Sequence, residues 1–144
     1  MSAVLYINDT QVAKLRYHLN TANNHTVFEA ELVGMILAAH LLASNPEVQL
    51  PLPASIFIDN QAAILAGEHP TSKPGHYLSI KFREIIQGIF EKCNLTKHDI
   101  TIHWIVGHRN IVGNEEVDRL AKQAAKDRNS MAPHQQITLF WTEL

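Results

Sequence analysis

The 144-residue chain has one cysteine, Cys93, and a net charge of only −2 with the histidines neutral. A lone cysteine excludes both a disulfide framework and a cysteine-cluster zinc site. No apolar run approaches the ~18–20 residues of a membrane span, and Met1-Ser2-Ala3-Val4 shows no basic region leading into one. The nine histidines are scattered without a His-x-x-x-His pair, which argues against a histidine-built metal site. Internal repeats and low-complexity tracts are missing as well. A composition 46% apolar and 18% charged is that of a globular protein. At this length roughly two-thirds of the unfolded surface can be buried, so no staple is required. The expectation is an intracellular (cytoplasmic or nuclear), single-domain protein with no membrane partner.

The charges are unevenly spread. Residues 1–80 carry three Lys/Arg against six Asp/Glu, and residues 81–144 carry nine against eight. Periodicity then orders the elements. Ala3–Ile7 and the alternating Val12–Leu19, joined across Asn8-Asp9-Thr10, predict a β-hairpin. Thr26 with Glu29 three residues on is a capping-box pattern opening a helix that ends near Asn45-Pro46. That helix is apolar around most of its circumference, so it is expected to be largely buried. Ala54–Ile58 reads as a strand, Gln61–Gly67 as a short helix, His76–Cys93 as a long one and Ile100–Val106 as another strand. A last helix is predicted over Glu115–Asp127 with Asn114 as N-cap. The order predicts a mixed α/β sheet with flanking helices.

Open α/β sheets bind ligands at the carboxyl ends of their strands. Asp59 closes a strand. Glu31 interrupts a nearly all-apolar helix, where an unpaired carboxylate would be costly. Asp118 borders the buried face of the last helix, whereas Glu115 and Glu116 suit ordinary dipole compensation in its first turn. Three converging carboxylates suit Mg2+, and two such ions about 4 Å apart can activate water at a phosphodiester. His108, in the adjoining loop, is placed to move a proton. Isolated acids also serve purely structural roles, and spacing does not choose between these.

The segments Thr26–Leu32 (TVFEAEL), Ile58–Ala63 (IDNQAA), Trp104–His108 (WIVGH) and Gly113–Lys122 (GNEEVDRLAK) resemble type 1 ribonuclease H. The wording is nearest to domains attached to reverse transcriptases of retrotransposons, particularly fungal ones, and the resemblance covers about residues 3–128. It implies an RNase H-like fold and cleavage of the RNA strand of an RNA/DNA hybrid with two Mg2+ ions, for which Mn2+ can substitute. It also implies metal ligation by Glu31, Asp59 and Asp118, with His108 as a mobile proton carrier. Asn60, Gln61 and Asn114 fall where the nucleic acid is met.

The resemblance also implies a fourth carboxylate on an opening, central strand, and the chain starts at the family's second strand. Asp9 is the one acid that could stand in for it, but it falls in the hairpin turn, at the end of the sheet opposite Asp59, and a turn role is expected over ligation. The expected organisation is an RNase H-like domain over 1–130 and a strand-like tail over 131–144. Residues Gln135–Leu144, or a second copy of the chain in a strand-exchanged homodimer, are expected to fill the gap. A rearranged sheet and a peripheral tail are the alternatives. With three carboxylates one metal is expected to bind well and the second poorly, leaving cleavage impaired or manganese-dependent; a catalytically inactive RNase H-fold module that binds nucleic acid or self-associates is the rival reading. Structural roles are expected for Trp104 (sheet packing), Cys93 (an inert small hydrophobe) and His40 (a hydrogen-bonded or exposed helix residue). Lys122, Lys126 and Arg128, with Arg119 at their edge, and Lys81 with Arg83 are the basic candidates for phosphate contact.

Overall fold

A computed structural model describes residues 1–19, 26–44, 52–68, 75–107 and 112–126. Its elements run β1 (Ser2–Ile7), β2 (Thr10–Arg16), α1 (Val27–Ala43), β3 (Ala54–Ile58), α2 (Gln61–Glu68), α3 (His76–Cys93), β4 (Ile100–Trp104) and α4 (Val112–Lys126). His108, Asp127, Arg128 and the tail 131–144 lie outside the described residues.

β1 and β2 pair antiparallel from Ser2 opposite Arg16 to Ile7 opposite Thr10, with a register shift between Leu5 and Tyr6. The turn places Asn8 at φ 49° and Asp9 at φ 60°. Asn and Asp tolerate this left-handed region best after Gly, which is why the pair makes a tight hairpin. Asp9 is thus a turn residue, as its position in the sequence suggested. α1 opens on the expected reciprocal cap: the Glu29 N–H donates to Thr26 Oγ1 at 3.2 Å, and the Thr26 N–H donates to the Glu29 carboxylate at 2.8 Å. The helix buries two faces. Leu32, Met35, Ile36 and Ala39 join Ile56, Ile58, Leu78 and Phe82 in the main core. Leu37 and Leu41 pack with Ala3 of the hairpin. Two buried faces account for its lack of a polar side.

β3 and β4 are parallel, Ala54 opposite Ile100 through Ile58 opposite Trp104. β4 is shorter than expected, yet the Ile105 N–H still donates to the Ile58 carbonyl at 2.9 Å. α4 packs on the hairpin through buried Leu120 and Ala124. The Ser2 hydroxyl donates to the Val117 carbonyl at 2.6 Å. His18 Nδ1 lies 3.0 Å from the Ala124 carbonyl and must carry the proton, since a carbonyl only accepts.

The architecture is mixed α/β with flanking helices, as expected, but among the described residues the strands do not make one sheet. They form two ladders, β1–β2 and β3–β4, separated by a gap. α4 starts at Val112, so Asn114 is not its N-cap but stands inside the first turn. No helix among the described residues is long and apolar enough to cross a membrane.

His40, on α1, is buried. Burial, then the nearby Lys81 charge, holds its imidazole below the ordinary value of 6.5. The folded protein therefore takes up that proton less readily than the unfolded chain. Its contribution to stability is complete above pH 6.5 and is lost as pH falls towards the lowered folded value. The expected result is a decline of at most about 1.4 kcal/mol per pH unit below 6.5. Urea unfolding at pH 7.5, 6.5 and 5.5 measures it, and His40→Gln should flatten that part of the profile.

Candidate active site

Asp59 is the first residue past β3, so the strand delivers its carboxylate to the carboxyl edge of the β3–β4 ladder. Glu31 comes from the first turns of α1 and is half-buried. Burial first, and the Asp59 charge second, push the Glu31 carboxyl above the ordinary carboxylate range; the Met1 ammonium partly opposes them. Two acids and one amine therefore share this end of the molecule. Burial in turn lowers the proton affinity of the Met1 amine, and Glu31 partly restores it.

The surroundings of Asp59 are closely set. The Trp104 indole N–H donates to its main-chain carbonyl at 3.3 Å. A Cβ on Gly107 would stand 3.2 Å from Asp59 Oδ2, so the loop after β4 passes close against the carboxylate and a side chain there would push on it. Asn60 Oδ1 accepts the Ala63 N–H at 3.1 Å and caps α2, which ties the residue after Asp59 to the helix that follows. The cap uses the carboxamide oxygen and leaves the NH2 for another acceptor. Gln61 is exposed at the start of α2.

Asp118 follows Val117, the residue Ser2 holds, and so stands near the start of β1, the end that Met1 shares with Glu31. Its carboxylate accepts from Lys122 Nζ at 2.5 Å, one helical turn on. Glu116 takes a two-pronged bond from Arg119 at 2.6 and 2.7 Å, and Glu115 is exposed. Asn114 lines the same cavity as Glu31 and Asp59. Of the three carboxylates read as ligands, the structure brings Glu31 and Asp59 together and commits Asp118 to Lys122. Among the described residues no group of three His, Cys, Asp or Glu side chains is gathered as a ready metal cage. The Glu31–Asp59 pair still fits a hard cation. Both offer oxygen donors, and a cation between them would relieve the repulsion that raises Glu31.

Two contributors escaped the sequence reading. Gly107 had a signal, a glycine directly before His108, but its contact with Asp59 depends on how the β4 loop folds back. The Met1 ammonium had none. Trp104 is 48% exposed, not packed away, and its polar edge is what the site uses.

The RNase H family profile matches residues 1–126. The chain belongs to the RNase H family. It is 29% identical to a "Ribonuclease H" of Rhizobium meliloti (strain 1021) over 122 residues, 84% of this chain and 76% of that protein. It is 29% identical to a "Ribonuclease H" of Rickettsia canadensis over 125 residues, 84% of this chain and 75% of the relative. A "Ribonuclease HI" of Rickettsia conorii is 28% identical over 125 residues, with 84% and 76% covered. No solved structure matches. Within this RNase H chain, Glu31, Asp59, Asn114 and Asp118 all fall inside the matched segment.

Proposed function

We propose that this chain cleaves the RNA strand of RNA/DNA hybrids as a divalent-metal-dependent endonuclease. The observation that carries the reading is the Glu31–Asp59 pair at the carboxyl end of β3 in a chain matching the RNase H family over residues 1–126. Glu31, Asp59 and Asp118 would hold Mg2+, or Mn2+ in its place. The bound ions would supply an activated water and charge stabilisation at the scissile phosphate. Asp118 joins by releasing Lys122, an exposed pairing worth little. Glu31 and Asp59 fix the position of the cleavage point relative to the sheet. His108 is assigned the proton shuttle beside them. Asn60 through its free NH2, Gln61 and Asn114 are assigned to the nucleic-acid backbone. Kinship with retrotransposon reverse transcriptases is part of this proposal and rests on the wording of the four segments quoted above.

The rival reading, a non-catalytic RNase H-fold module that binds nucleic acid, is favoured by one observation. Only Glu31 and Asp59 act on one another and line one cavity, and the third carboxylate, Asp118, is ion-paired. Cleavage of a labelled RNA/DNA hybrid in Mg2+ and then Mn2+, with Asp59→Asn as the control for contaminating nuclease, separates the two. RNA-strand products lost in Asp59→Asn support the enzyme. Hybrid binding without products from folded protein supports the module.

Gly107→Ala is expected to weaken Mn2+ binding about tenfold, because the added methyl displaces the Asp59 carboxylate by a few tenths of an ångström. Calorimetric titration reads the affinity. An unchanged value would show that the β4 loop gives way instead.

A further inference from the structure

Each strand has two edges, and in β1 and β3 one edge alone is hydrogen-bonded among the described residues, to β2 and β4 respectively. The other two edges face a common space. Residues Met1–Tyr6 and Ser55–Asp59 line one cavity of about 820 Å3, to which no residue of β2 or β4 contributes. Met35, Ala38, Leu41 and Leu42 of α1 make an apolar wall along it, and Asn114 and Val117 of α4 lie elsewhere on its lining. Open strand edges present backbone donors and acceptors that need partners, and one extended segment between two facing edges serves both.

We infer that residues Gln135–Leu144 insert into this space as a central strand, parallel to β3 and antiparallel to β1, joining the two ladders into one sheet. Three observations select this occupant. The first is pattern: Ile137, Leu139 and Trp141 alternate with Thr138, Phe140 and Thr142, so between Gln135 and Glu143 one face of the segment is apolar and matches the α1 wall. The second is reach. Val117 is tied to Ser2 and Gly113 stands against Tyr6, and Lys126 is about 13–14 Å from the first and about 19–20 Å from the second along the helix. The eight residues 127–134 span up to about 26–29 Å, enough to reach either end of the space. The third is charge, which sets the direction. Glu143 is the segment's single charged side chain and shares the face of Ile137, Leu139 and Trp141. β1 begins beside Gly34, one helical turn past Glu31, where a Cβ would stand 3.7 Å from Met1 Cε and 3.9 Å from the Ser2 carbonyl oxygen, and Asp59, at the end of β3, lines the same cavity as Met1 and Glu31. Parallel to β3, the segment lays its apolar residues along α1 from Leu42 towards Gly34 and brings Glu143 to that polar end. The reverse direction would press Glu143 against Leu41 and Leu42. The lengths agree: Ile137 to Glu143 covers about 20 Å as a strand, and Leu42 to Glu31 about 16–17 Å as helix.

The insertion does not rest on the ribonuclease reading and is measured without cleavage. Hydrogen exchange is followed in the full chain, in the full-length Leu139→Asp variant and in a chain ending at residue 134. Amides in peptides spanning 2–7 and 54–58 are expected to exchange at least about tenfold faster in both altered chains than in the full chain. A synthetic peptide of residues 135–144, added to the shortened chain, is expected to restore the protection, which keeps the test valid if Leu139→Asp also loosens α1. Equal exchange in all three chains, or no restoration by the peptide, overturns the insertion. Protection that grows with protein concentration overturns it in favour of exchange between two copies. For the direction, Glu143→Gln in chelator is expected to raise the thermal midpoint by about 2 °C or more, by removing a third carboxylate from beside Glu31 and Asp59; no rise overturns the parallel orientation.

Discussion

Asp59→Asn is expected to raise the thermal midpoint by about 2–4 °C in chelator at pH 7 while reducing hybrid cleavage by a thousandfold or more. The two effects share one cause. Asp59 sits where its charge helps push the Glu31 carboxyl upward, so the folded state carries a repulsion that the unfolded chain does not. A group whose folded affinity for its proton is raised contributes stability below its ordinary titration range and loses it as pH rises through the folded value. The gain in Asp59→Asn therefore appears at neutral pH and fades as the medium is acidified through the raised range in which Glu31 takes up its proton. The amide keeps the shape but loses a negative oxygen donor, so added Mn2+ should stabilise the wild-type chain and leave the variant nearly unmoved. Scanning calorimetry at pH 7 and pH 4, with and without Mn2+, reads all of this. A variant no more stable than wild type, yet equally stabilised by Mn2+, would remove Asp59 from any metal site.

Leu32→Ala is expected to cost about 3 kcal/mol, within the 2–5 usual for a buried leucine. Leu32 is completely buried, next in the chain to Glu31. It belongs to the core that links α1 to β3 and α3. It also sits under Gly75, where a Cβ would lie 3.3 Å from Leu32 Cδ1. Gly75 has φ +84°, a left-handed backbone that a residue with a Cβ would strain, so the close approach over Leu32 depends on glycine. Incomplete collapse is what makes such a deletion expensive. The thermal midpoint should fall by roughly 10 °C. Because Leu32 anchors the helix that carries Glu31, Mn2+ affinity should weaken too. A loss below about 1 kcal/mol by urea unfolding would mean that α3 and the Gly75 loop close the void.

Much of the fold was legible because its signals are local. Asn8-Asp9 makes a tight turn whatever surrounds it, and Thr26 with Glu29 caps a helix using its own backbone. The spacing of Leu78, Phe82 and Ile89 declares which face of α3 is buried. Asp59 at a strand end and Glu31 amid apolar residues were conspicuous because a carboxylate is costly where its neighbours avoid water. The start of α4 was misread by local signals of the same kind: Asn114 has the chemistry of a cap, but Val112 and Gly113 are already helical.

Which groups meet was decided by packing over long separations. Glu31 and Asp59 are 28 residues apart and feel each other only because the core sets α1 against β3. Asp118, read from the sequence as a third ligand, is held instead by Lys122 one turn away on its own helix. Nor does strand propensity say which edges will find one another: alternation and apolar content mark β1, β2, β3 and β4 as strands, but that they pair as β1–β2 and β3–β4 among the described residues was settled by tertiary packing. Propensity is a property of a few neighbouring residues, whereas strand pairing and carboxylate proximity depend on where distant segments are brought to rest by the burial of their apolar faces.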